Sequence, residues 1–284
     1  MSDTRDANSV FTAQQAQMKG FTTRNVMQDD FGMQIPVEAI PLPSEGKIYP
    51  EDSSAHNRAT LEIKAMTARE EDILTSRALI KKGTVISELI KSCLIDKSVN
   101  VENLISGDRN ALMTAIRITG YGSEYSVEVQ CPSCSEKGKY DFNLSELPIK
   151  RLEINPVEMG ENAFEFELPV SKKKVVFKFL TGKDERNIAV QQERRKKKKL
   201  GGQFDTLVTN RLLYSILSID GITDKNKIST FVKNMPARDS RMLRKYMDDN
   251  EPGIEMKSWM ECDSCLESSE VTLPIGASFF WPDA

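Results

Sequence analysis

The sequence predicts an α+β fold: one helical module with short β-hairpins, present twice, behind an extended N-terminal arm. Three observations carry that expectation. Two distant segments open alike, on a strand that runs into a capped helix. Further on, the same two segments keep one register through a helix and a hairpin. Each then delivers a Cys-x-x-Cys pair, and self-similarity of this kind is the signature of an internal duplication.

The arm is assigned to residues 1–57. Ile35-Pro36-Val37-Glu38-Ala39-Ile40-Pro41-Leu42-Pro43-Ser44 carries three prolines, each fixing its own φ and restricting its predecessor, so the stretch is extended. Its apolar residues suit an arm lying on its own body or on a neighbour. The first repeat is placed at 58–150, a connecting segment at 151–171, the second repeat at 172–277 and an aromatic tail at 278–284.

The first repeat opens on Glu62-Ile63-Lys64-Ala65-Met66, the second on Val176-Phe177-Lys178-Phe179-Leu180. Each strand runs into a threonine N-cap with an acid three places on, Thr67 with Glu70 and Thr181 with Asp184. A charged helix follows and stops at a basic, glycine-ended turn, Lys81-Lys82-Gly83 in one copy and Lys196 to Lys199 with Leu200-Gly201-Gly202 in the other. An amphipathic helix comes next. Its apolar face is Val85, Ile86, Leu89, Ile90, Cys93 and Leu94 in the first copy. In the second it is Leu207, Val208, Leu212, Leu213, Ile216 and Leu217.

Asp108 precedes Cys131 by 23 positions, and Asp239 precedes Cys262 by the same interval. In that register Leu112 corresponds to Leu243, Ile116 to Met247 and Gly122 to Gly253. Both copies read as an Asp-initiated helix, a glycine turn and a strand that ends in Cys-x-x-Cys. Both then close on a short strand ending in Leu-Pro-Ile, at Leu147-Pro148-Ile149 and Leu273-Pro274-Ile275.

Four of the five cysteines form Cys131-Pro132-Ser133-Cys134 and Cys262-Asp263-Ser264-Cys265, each at a strand end as at the tip of a hairpin. Such a turn aims two thiolates at one point, but structural Zn²⁺ needs four ligands. The expectation is one shared Cys₄ site with Cys131, Cys134, Cys262 and Cys265 as metal ligands. The ion would be a structural Zn²⁺, with iron as the alternative that colour would reveal. Four thiolates leave no open position, so the metal would be a folding staple. A redox pair usually begins a helix, and here a strand precedes each pair. Cys93 falls on an apolar helix face and reads as core.

The rest of the chain argues against catalysis. There is one histidine, His56, which leaves almost nothing for His-based acid–base work. No phosphate loop, nucleophile elbow or zinc-protease motif is present. No secretory signal or bilayer-length apolar run is seen, so a reducing cytoplasm and no membrane are expected. The net charge of −3 gives no global pull toward nucleic acid. The run Arg194-Arg195-Lys196-Lys197-Lys198-Lys199 raises the alternative of a zinc-ribbon nucleic-acid binder. No aromatic residue interleaves it, however, and a solvated helix end explains it as well. Glu70-Glu71-Asp72 reads as acids opposing a helix dipole. The tail Ser278-Phe279-Phe280-Trp281-Pro282 must cover its own core or dock on a partner.

Several strings resemble a family of baseplate hub proteins from T-even-like contractile-tailed phages. They are Met66-Thr67-Ala68-Arg69-Glu70-Glu71-Asp72-Ile73-Leu74, Leu42-Pro43-Ser44-Glu45-Gly46 with Tyr49-Pro50, Gly107 to Leu112, and Gly120 to Tyr125. The two Cys-x-x-Cys pairs and the closing Phe279-Phe280-Trp281-Pro282 fit as well. The likeness covers roughly residues 37–284. It implies a non-enzymatic virion or tail-assembly protein whose partners are other phage baseplate or tail proteins. It leaves open a homo-oligomer in a symmetric assembly, and permanence in the virion as against a chaperone role in the host cytoplasm.

Overall fold

A computed structural model describes residues 26–28, 32, 34–197, 207–275 and 279–280. Most of the arm, residues 198–206 of the basic turn, and tail residues 278 and 281–284 lie outside the described residues.

Strands β1 (Val26–Gln28), β2 (Gln34–Pro41) and β3 (Thr60–Lys64) form an antiparallel sheet with β2 in the centre. The hairpin of β2 and β3 pairs Val37 with Lys64 and Pro41 with Thr60, so it crosses the expected arm boundary at residue 57. Residues 37–41 of the expected arm thus lie on the chain's own body, paired with β3. Proline is tolerated there because Pro36 and Pro41 sit near the strand ends.

Helix α1 (Ala68–Thr75) starts at a complete capping box, with the Thr67 N–H donating to the Glu70 carboxylate at 3.0 Å. The expected single charged helix is broken at Ser76, whose ψ of 104° is extended, and α2 (Arg77–Lys82) ends at Gly83 with φ 67°. Helix α3 (Val85–Cys93) buries Leu89, Ile90 and Cys93, and Leu94 then bridges back to Ile63 on β3. A 3-10 turn at Val101–Asn103 leads to α4 (Ser106–Tyr121). From there the chain forms the hairpin β4 (Glu124–Gln130) and β5 (Lys137–Asn143).

The second half, among its described residues, also opens on a hairpin that leads into helices. Strands β7 (Phe164–Glu167) and β8 (Lys174–Phe177) form a hairpin. Helices α5 (Gly182–Lys197) and α6 (Leu207–Ser215) follow. Residues Ile216 and Leu217, expected on that helix, instead open strand β9 (Ile216–Ile219) beside β8. The β-branched isoleucines Ile216 and Ile219 suit a strand, and sheet pairing overrides the helical spacing. Helices α7 (Lys225–Asn234) and α8 (Ala237–Asn250) lead to the hairpin β11 (Lys257–Glu261) and β12 (Ser268–Thr272).

The two helix starts share a polar device. Lys64 pairs with the buried Glu70 carboxylate at 2.8 Å, and Lys178 with Asp184 at 2.6 Å. Thr181 N–H donates to Asp184 at 3.0 Å, just as Thr67 does to Glu70.

Asp108 and Asp239 do not initiate helices, as the sequence had suggested. Both sit in the first turn and are fully buried. Asp108 accepts the Ser44 N–H at 2.9 Å, the Ser44 hydroxyl and the Tyr49 hydroxyl. Asp239 accepts the N–H groups of Val170 and Ser171 at 2.7 and 3.0 Å. Each acid therefore pins the connection inside a hairpin, β2 to β3 for Asp108 and β7 to β8 for Asp239, and a buried carboxylate needs such donors.

The Leu-Pro-Ile stretches do not end strands. A 3-10 turn, Leu144–Glu146, separates β5 from Leu147, Ile149 opens a further short strand, and among the described residues no strand follows Thr272.

The halves interlock. Strand β6 (Ile149–Lys150) pairs with β10 (Gly253–Ile254), and Ile105 bridges Thr181. Gly107 permits the closest approach, since a Cβ there would lie 1.7 Å from the Pro252 carbonyl oxygen. Phe164, Phe177 and Phe179 stack at 4.8–5.8 Å in a core continuous with that of the first half.

The described tail residues Phe279 and Phe280 cover the chain's own core, at 0% and 3% exposure. Phe279 packs edge-on against Tyr125 at 5.3 Å, and its carbonyl accepts from the buried Arg117 guanidinium at 2.6 Å. Arg117 also donates to the carbonyls of Gly122 and Glu124 at 2.6 and 2.9 Å.

Replacing Arg117 with Leu leaves three carbonyls without that donor. It should lower stability by about 3 kcal/mol and expose the tail to carboxypeptidase; unchanged urea and digestion profiles would refute the anchor. Glu70 supplies a pH signature. Burial works to raise its pKa, but Lys64, Ser92 and Thr67 outweigh it and hold the carboxyl at about 2, against an ordinary 4.5. Because the folded value is depressed, the contribution is complete above pH 4.5 and fades as pH falls toward 2. The stability gap between wild type and Glu70→Gln, on the order of 3 kcal/mol at neutral pH, should narrow across that window in urea titrations.

Candidate metal centre

Both Cys-x-x-Cys pairs stand at hairpin tips, and the two tips meet. The four sulfurs of Cys131, Cys134, Cys262 and Cys265 lie within 4.8 Å of one another. Cys131 Sγ is 3.8 Å from Cys265 Sγ, and Cys134 Sγ is 3.7 Å from Cys262 Sγ. A regular tetrahedron with metal–sulfur bonds of ~2.3 Å has sulfurs ~3.8 Å apart. All four residues singled out from sequence are thus brought together. Among the described residues no other group of three or more His, Cys, Asp or Glu is placed to hold a metal ion.

Each tip is built by the same backbone bonds. Cys131 N–H donates to Glu136 O at 2.8 Å and Ser135 N–H to Cys131 O at 2.9 Å. Cys262 N–H donates to Glu267 O at 3.1 Å and Leu266 N–H to Cys262 O at 2.8 Å. The reversal demands a left-handed residue after the second cysteine, and Ser135 and Leu266 take it at φ 64° and 58°. Across the centre the hydroxyls of Ser133 and Ser269 lie 3.4 Å apart.

The thiols divide by position. Cys131 and Cys262 are buried, whereas Cys134 and Cys265 are exposed. Backbone N–H groups of Cys134 and Ser133 point at the Cys131 sulfur and lower its pKa. Those of Cys265 and Ser264 do the same for Cys262 and bring it to about 6. Cys134 and Cys265 each accept one N–H, from Glu136 and Glu267, but burial and neighbouring sulfurs outweigh it and raise both. N–H groups aimed at a sulfur favour its thiolate, the form that binds metal.

Cys93 is elsewhere, in the core, where burial pushes its thiol up to about 12. His56 is tied to the Tyr49 carbonyl and to Asn57. Glu71 and Asp72 are exposed at the helix start, while Glu70 is buried in its ion pair. Arg194 of the basic run is exposed near the end of α5; the side chains from 195 onward lie outside the described residues. Sequence reasoning missed Arg117 as the tail's anchor, and Asp108 and Asp239 as acceptors. The shared interval before each Cys-x-x-Cys was the one signal for the two acids.

The chain is of the α+β class, with two hairpin tips that bring four thiols together. The chain is a member of the T4 bacteriophage base plate protein family, whose profile matches residues 37–281. Neither curated proteins nor solved structures yield a match. Membership supports a structural role at the phage baseplate, in the virion tail, in contact with other tail proteins. Among the described residues, no helix is long and apolar enough to cross a membrane.

Leu266 is 73% exposed, so its side chain packs little while its backbone is strained. Leu266→Gly should raise stability by about 0.5–1 kcal/mol, the left-handed penalty of ~1–2 kcal/mol being partly offset by glycine's extra unfolded-chain entropy. A fall in the urea midpoint would contradict the assigned turn.

Proposed function

We propose that the chain is a component of the baseplate hub that acts by protein–protein contact and catalyses no reaction. Two copies of one module, held together by a structural Zn²⁺ on Cys131, Cys134, Cys262 and Cys265, make its rigid body. The observation that carries this reading is the meeting of two like hairpin tips with tetrahedral sulfur spacing. The matched helix-start ion pairs and the matched buried acids support the duplication. On this reading the first copy runs from the β2–β3 hairpin to about residue 150 and the second from about 164 to 277. The arm residues before 34 are assigned to partner contacts, and assembly takes place in the host cytoplasm.

The ion would supply charge neutralisation and a cross-tie. Zinc rather than iron is favoured by four thiols with no redox partner among the described groups. The purified chain should contain one zinc per chain and be colourless. Cys134→Ser with Cys265→Ser should abolish metal binding, and a phage carrying the pair should lose most of its assembled tails. Metal-free wild-type protein that melts and assembles as well as the loaded form would overturn the zinc reading. Salt-dependent binding of duplex DNA at physiological ionic strength would favour the nucleic-acid alternative instead.

A further inference from the structure

The two knuckles are alike in backbone but differ in what leans on them. Tyr140, on β5, reaches across the centre, and its phenol oxygen accepts the backbone N–H of Asp263 at 3.3 Å. Asp263 follows Cys262 directly, so this bond places the phenol next to a cysteine of the cluster. The ring folds back over Gly138 on the same strand. A Cβ at that position would sit 2.7 Å from a ring carbon, so the space is made by the glycine. In the register that matches Cys131 with Cys262, Tyr140 corresponds to Val271. Val271 is buried and has no polar atom to return the contact.

A phenol is both donor and acceptor. Accepting from Asp263 occupies one lone pair and leaves the hydroxyl proton for another partner. The sulfur of the adjacent Cys262, as a metal-bound thiolate, would be the better acceptor for that proton. Groups that hydrogen-bond a metal's ligands fix their orientation.

We propose that Tyr140 is a positioning residue for the metal held by the four cysteines. Its phenol bridges the Asp263 N–H and the Cys262 sulfur, ties the second knuckle to the first hairpin, and slows metal loss. The proposal rests on the Cys₄ reading. The test uses the full chain loaded with zinc, excess chelator, and a metallochromic dye to follow release.

Tyr140→Phe keeps the ring and removes the hydroxyl; Tyr140→Leu removes both. The expected result is one zinc per chain in wild type and in Tyr140→Phe, with release from the latter faster by about tenfold. In the cobalt-substituted proteins, the sulfur-to-metal absorption band should shift in Tyr140→Phe. Equal release from wild type and Tyr140→Phe, with or without faster release from Tyr140→Leu, would reduce Tyr140 to a packing residue and overturn this inference alone. A wild-type chain that takes up no zinc would overturn both this inference and the reading beneath it.

Discussion

Four sulfurs within 4.8 Å of one another form the constraint on which the tip of the molecule depends. Two thiolates about 4 Å apart repel by roughly 4 kcal/mol at an effective dielectric of 20, and four make six such pairs. The cluster is therefore compatible with a folded tip only if protons or a cation offset that repulsion. The backbone works toward the cation. It turns two N–H groups onto Cys131 and two onto Cys262, which favours thiolates. The same reversal places Ser135 and Leu266 in the left-handed region. Strain at two residues and four converging charges are individually unfavourable, and on the proposed Cys₄ reading a divalent ion would offset the charge.

Away from the tip, the halves hold their shape by burying charge that is fully partnered. Glu70 and Asp184 sit under lysines at helix starts, and Asp108 and Asp239 gather donors from the connection between the strands of each hairpin. Their burial is destabilising unless every partner is in place, so these groups specify one arrangement more than they add to stability. The apolar core then runs through both halves without a break. The pairing of β6 with β10, and of Ile105 with Thr181, makes each half part of the other's wall.

The cysteines and the helix starts were legible because their chemistry is local. A Cys-x-x-Cys after a strand has few alternatives, and Thr67 with Glu70 is a cap that any reader of sequence would mark. The strand at Ile216–Ile219 was not legible, because leucines and isoleucines at helical spacing continue the pattern of α6 and only the neighbouring β8 decides otherwise. The break at Ser76 was missed since serine inside a charged run carries little signal. Asp108 and Asp239 were noticed for their position but read as helix-initiating, because their donors lie 59 to 69 residues away in sequence. The prolines marked the arm as extended, and its apolar residues as lying on the body; which strand it pairs with, β3, was not legible because the partner lies beyond a long connection.

The anchoring of Phe279 beneath Arg117 has a consequence for biosynthesis. Arg117 belongs to α4 of the first half, but one of its three acceptors is a carbonyl 162 residues further along the chain. A nascent polypeptide that has emerged only to residue 150 holds a charged guanidinium facing a gap that nothing yet translated can close. The same nascent chain has two of the four thiols. In the native fold the seal over the first half is therefore completed by Phe279 and Phe280, which are among the last residues to be translated.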